Sequence, residues 1–125
     1  MALDVIQHST RIPQYLPLIE KVALQGEIPY PLYARMLDRQ LMYEGKEQLY
    51  GTQGRSYGVL NPKTGKREDV SFIWPIEDAA HVNERRQKAG FKTTVEVNAK
   101  QLNMEYKPMT LAEADRIQRQ AAGAP

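Results

Sequence analysis

The chain has 125 residues, 42% hydrophobic and 26% charged, values typical of one folded domain with its own core and not of a disordered chain. Seventeen Lys and Arg against fifteen Asp and Glu leave a net charge of +2. That field is too weak to drive binding along a phosphate backbone, so no nucleic-acid partner is expected. The absence of cysteine excludes disulfides, thiolate metal sites and a cysteine nucleophile, and no apolar run reaches the roughly 20 residues that span a bilayer.

The chain opens directly into a helical pattern, with Leu3, Val5 and Ile6 as apolar positions over residues 1–9. No basic-then-apolar leader precedes it, which points to the cytoplasm. The uncapped opening also reads as the continuation of an upstream segment. A second helix is predicted over about 13–24, because Tyr15, Leu18, Ile19, Val22 and Ala23 fall on one face and Gly26 stops it. Pro31 suits a first helical position. A third helix follows to about Glu44, with Tyr33, Leu37 and Leu41 in a stripe, Met36 beside it and Gly45 at its end. Two helices joined this closely predict a helical hairpin.

After Gly45 the helical period disappears. Val70-Ser71-Phe72-Ile73-Trp74 is β-branched and aromatic, and Asn61-Pro62-Lys63-Thr64-Gly65-Lys66 is a turn by composition. A β-hairpin is predicted over about 49–59 and 69–75, its apolar face resting on the helices. Asp78 is a candidate cap for a fourth helix over about 79–89. A fifth is predicted over about 94–106 through Val95, Ala99, Leu102 and Tyr106. Thr110-Leu111-Ala112-Glu113 forms a capping box for a last one. The expected fold class is mainly α (α+β). Residues 1–107 form one helical domain with a hairpin insert at about 49–75, and 108–125 a C-terminal helix and frayed tail. The core is expected to hold Tyr15, Leu18, Ile19, Val22, Leu37, Leu41 and Trp74.

Few residues carry recognisable chemistry. His8 and His81 are the proton carriers near neutral pH, and for both a hydrogen-bonded or surface role outweighs catalysis. Asp38-Arg39 interrupts an apolar helix, where the two charges belong to a solvated side or orient other groups. In Gln48-Leu49-Tyr50-Gly51-Thr52-Gln53-Gly54, strand alternation would put Tyr50 and Thr52 on one face. Glycines there let a backbone or a ligand come close. Arg85-Arg86-Gln87-Lys88 is a basic helix face, and Lys63, Lys66 and Arg67 form a smaller group at the hairpin tip. No metal or cofactor motif is present.

Several of these pieces together resemble a bacterial family of unknown function, domain of unknown function 6624. They are Val5-Ile6-Gln7-His8-Ser9, Tyr15-Leu16-Pro17-Leu18, Leu37-Asp38-Arg39 and Glu44-Gly45-Lys46-Glu47-Gln48-Leu49-Tyr50-Gly51-Thr52-Gln53. Further on, Pro75-Ile76-Glu77-Asp78, Val82, Arg85-Arg86 and Gly90-Phe91 also fit its pattern. The likeness covers about residues 3–92 of the chain. Ala79 and Phe91 depart from the family's proline and leucine, and family members carry a segment upstream of the Gln-His pair. The resemblance implies no established activity. It singles out Gln7, His8, Asp38, Arg39, Tyr50, Gln53, Arg85 and Arg86.

Two functions follow as expectations. In the favoured one the chain is an interaction module for a protein or small-molecule partner, and the polar residues lock its conformation. In the alternative it is a small-molecule-binding or hydrolase-like enzyme with His8 as general acid or base and Asp38 orienting it. Gln7, Arg39, Tyr50, Gln53, Arg85 and Arg86 would then bind ligand, without metal or cofactor. Both readings expect His8, Asp38, Tyr50 and Gln53 to converge.

Overall fold

The computed structural model describes residues 12–122. The predicted first helix, with Gln7 and His8, lies outside them. Helix α1 (Ile12–Leu24) and helix α2 (Tyr30–Tyr43) come first, followed by strands β1 (Gly54–Leu60) and β2 (Arg67–Ile73). A 3₁₀ turn at Ala79–His81 leads into α3 (Val82–Lys88), then α4 (Val95–Gln101) and α5 (Leu111–Ala121). The described residues form an α+β fold with a two-stranded β-hairpin. No helix among the described residues is long and apolar enough to cross a membrane.

The α1–α2 pair forms because each helix carries an apolar stripe and Gly26, at φ +77°, lets the chain turn between them. Ile19, Ala23, Tyr33 and Met36 are buried there, and the Tyr33 hydroxyl donates to Glu20 at 2.8 Å. The buried face is rotated from the predicted one. Ile19 is 2% exposed, whereas Leu18 is 51% exposed. Tyr15, Val22, Leu37 and Leu41 are only half-buried.

The strands are antiparallel, with Arg55 opposite Phe72 and Tyr57 opposite Val70. The tip closes where the Asn61 carbonyl accepts from Gly65 N–H at 2.8 Å, with Gly65 at φ +71°. Phe72 and Trp74 pack with Met42 of α2 and Ala114 of α5, so the last helix lies on the hairpin's apolar face. A third cluster joins Ile73, Ile76, Val82, Val95 and Ala99.

Three predicted features are corrected. Residues 49–53 are not strand, and β1 begins only at Gly54. Asp78 does not cap α3: it sits at φ +47° and offers no capping bond, its carboxylate being turned to His81. The fifth helix stops at Gln101, because Asn103 adopts φ +60° and Met104 N–H folds back onto the Ala99 carbonyl. The Thr110 box does form in part, with Thr110 Oγ1 accepting from Glu113 N–H at 3.1 Å.

Candidate functional site

Asp38 stands one turn from the end of α2 and is fully buried. Its helix aims it at the segment after Gln48, whose amides have no strand partner. The carboxylate takes them instead. Oδ1 accepts from Leu49 N–H at 2.9 Å and Tyr50 N–H at 3.2 Å. Oδ2 accepts from Thr52 N–H at 3.2 Å and from the Thr52 hydroxyl at 2.8 Å. Burial pushes the Asp38 pKa up, while the bonds from Leu49, Thr52 and Tyr50 pull against it.

The segment's carbonyls are held from the other side. Arg85 Nε donates to the Leu49 carbonyl at 3.0 Å, and Arg86 Nη1 donates to the Tyr50 carbonyl at 2.7 Å. Consecutive arginines on one short helix thus fasten consecutive carbonyls. Arg85 also donates to the carbonyls of Asp78, at 3.1 Å, and Glu77. Arg86, 1% exposed, places Nε on the Thr93 carbonyl and Nη2 on the Thr93 hydroxyl. The Phe91 ring lies 4.4 Å from its guanidinium carbon. Burial lowers the Arg86 pKa, and the nearby Asp38 charge opposes that.

Gln48 closes the far end. Its Nε2 donates to the carbonyls of Gln53 at 2.9 Å and Trp74 at 2.7 Å, and its Oε1 accepts from Gln53 N–H at 3.0 Å. Asn98 Nδ2 reaches the Gly51 carbonyl at 3.3 Å. Gly51 has φ +67°, and a Cβ there would come within 2.6 Å of Val95 and 2.9 Å of Ile76. Glycine is therefore required by backbone conformation and by contact.

Of the residues singled out from the sequence, Asp38, Tyr50, Gln53, Arg85 and Arg86 meet in this knot. Tyr50 contributes through its backbone N–H and C=O, not its hydroxyl. Gln53 contributes its backbone to Gln48, and its Nε2 donates to the Thr52 hydroxyl at 3.1 Å. Arg39 turns away, its guanidinium stacked 5.2 Å from the centre of the Tyr43 ring. His81 is exposed and bonds Asp78 at 2.9 Å. Sequence reasoning missed Gln48, Thr52, Thr93 and Asn98. The one signal for them was the glycines, Gly51 and Gly54 among them, inside a supposed strand.

Beside the knot lies a cleft of about 500 Å³ lined by Ala23, Leu24, Tyr30, Tyr50, Arg85, Lys88 and Ala89. Its floor is apolar and its wall carries two phenols. Burial, reinforced by the neighbouring Tyr30 hydroxyl, raises the Tyr50 pKa well above its ordinary value, so the phenol is a neutral hydrogen-bond group. Lys88 is exposed and makes no salt bridge among the described residues. No protein-family profile, curated protein or solved structure matches the chain.

Proposed function

We propose that the chain is an interaction module whose 500 Å³ cleft takes a carboxylate-bearing apolar segment of a protein partner. One observation carries this reading: the polar residues best suited to chemistry are already spent on backbone. The Asp38 oxygens accept from four donors, which leaves little capacity to orient a general base. Arg85 and Arg86 likewise bond carbonyls. What the knot does is hold the Tyr50 ring rigidly at the cleft wall, and preorganised aromatic surface is what recognition favours.

Charge selects this cleft over a second groove of about 480 Å³ beside Leu37, Leu41 and Leu111. That groove has one cation, Lys46, against Glu47 and Glu77. The first has no acid in its lining, and its Lys88 makes no salt bridge among the described residues, whereas its Arg85 is already engaged by carbonyls and Asp78. Nucleic acid is not part of the proposal, since the net charge is only +2.

The test is a titration of ¹⁵N-labelled protein with the peptide acetyl-ELFE-amide and its uncharged counterpart acetyl-QLFQ-amide. Shifts should concentrate on Leu24, Tyr30, Tyr50, Lys88 and Ala89. The acidic peptide should bind several-fold tighter, since each exposed ion pair contributes about 0.2–1 kcal/mol. Lys88→Glu should remove that preference. Equal binding of the two peptides, or shifts centred elsewhere, would overturn the proposal.

A further inference from the structure

Away from the cleft, two arginines are treated differently from Arg85 and Arg86. Arg39 of α2 and Arg55 of β1 both stack on Tyr43, their guanidinium carbons 5.2 and 5.3 Å from the ring centroid. The two cations therefore lie within about 10.5 Å of each other, the sum of those distances at most. Arg55 also lies 6.0 Å from the Trp74 ring.

The ring contacts hold both guanidiniums beside Tyr43 without using their donors. Among the described residues neither has a carboxylate within 4.0 Å, and none of their N–H groups bonds to protein. Each Nε is buried without an acceptor. A structural arginine avoids this, because a sequestered donor without a partner is destabilising. Arg86, buried where Arg39 and Arg55 are half-buried, puts Nε, Nη1 and Nη2 all on acceptors. Arginine held against an aromatic ring is preorganised for oxyanions, and two positive charges without a carboxylate partner match a dianion better than a single carboxylate.

We propose that Arg39 and Arg55, braced by Tyr43, form a binding site for a phosphate monoester or free phosphate dianion. The site is independent of the cleft and lies at the surface, with Arg39 and Arg55 half-buried and Tyr43 54% exposed.

The test follows the arginine Nε–Hε resonances of the full chain in two titrations at constant ionic strength. One uses inorganic phosphate, and the other a phosphoserine tripeptide with its unphosphorylated form as control. Arg39 and Arg55 should shift together and saturably, with Arg119, engaged by Asp115 at 2.9 Å, as the internal reference. Arg55→Lys should weaken phosphate binding at least tenfold, since lysine keeps the charge but not the planar donor fork. Tyr43→Leu should weaken both arginine responses while the unfolding midpoint confirms an intact fold. Tighter binding of free phosphate assigns the site to a small metabolite, and tighter binding of the phosphopeptide to a modified protein segment. Equal shifts with chloride, equal response of Arg119, or no effect of Arg55→Lys in a folded protein would each overturn the site.

Discussion

Asp38 and Arg86 make no direct bond and are joined through one residue: Tyr50 N–H donates to the Asp38 carboxylate at 3.2 Å, and the Tyr50 carbonyl accepts from Arg86 at 2.7 Å. Both side chains are essentially excluded from solvent. A buried carboxylate and guanidinium are costly alone. Here the backbone of one residue lies between them, the N–H of one peptide unit toward the anion and the C=O of the next toward the cation. The arrangement converts a charge pair into a clamp on the chain.

Removing one side of the clamp should therefore cost more than a lost hydrogen bond. Asp38→Asn keeps the shape but turns an amide NH₂ toward donors, leaving buried N–H groups and Arg86 without compensation. The expected loss is about 3–5 kcal/mol, the range for breaking one partner of a buried charge pair. Urea unfolding followed by the fluorescence of Trp74, the only tryptophan, measures it. A loss under about 1 kcal/mol would show that the segment is held by its other contacts.

Gly51→Ala probes the same segment by shape alone. The positive φ costs about 1 kcal/mol for an L-residue, and the close approaches to Val95 and Ile76 add overpacking strain. A total of about 2–4 kcal/mol is expected. Gly58→Ala is the control, because β1 at that point has open space for a methyl group. It should be neutral or slightly stabilising. Similar losses at both glycines would contradict this account.

The helical pair was legible because its apolar period of 3.6 is a local property of the sequence, and the hairpin because its β-branched, aromatic strand and its turn residues are local too. The knot was not. Leu49-Tyr50 reads as strand, and nothing near it announces that Asp38, eleven positions earlier, supplies acceptors in place of a partner strand. Gln48, Thr52 and Asn98 are uncharged polar residues of the kind that usually face water, so composition alone does not mark them. The face of α1 was misread for a related reason. Leu18 and Ile19 both fit the stripe, and only the position of α2 decides which is covered.

That difference makes a direct comparison possible within α1. Ile19→Ala removes a side chain that is 2% exposed and should cost about 2–5 kcal/mol. Leu18→Ala, at 51% exposed, should cost under about 1 kcal/mol. Half-buried Leu37 should fall between them. Equal losses at Ile19 and Leu18, measured from urea midpoints at a common m-value, would place the α1–α2 contact on a different face.

His81 gives the fold a small pH dependence of predictable sign. Its Nδ1 meets the Asp78 carboxylate at 2.9 Å, and that bond, with the Asp78 charge, raises the imidazole pKa above its ordinary 6.5. Arg85 Nη1, 3.7 Å from the same carboxylate, opposes the shift. A raised folded-state pKa means that the folded chain binds the proton more tightly than the unfolded chain. The contribution is therefore fully present below about pH 6.5 and is lost as the pH rises through the higher folded value. Full exposure lets solvent screen the pair, so the effect belongs in the titration more than in the melting curve. NMR titration of the His81 ring should give a midpoint above 6.5, and Asp78→Asn should return it toward 6.5. A midpoint that the substitution leaves unchanged would mean that the pair seen here does not govern the histidine's protonation.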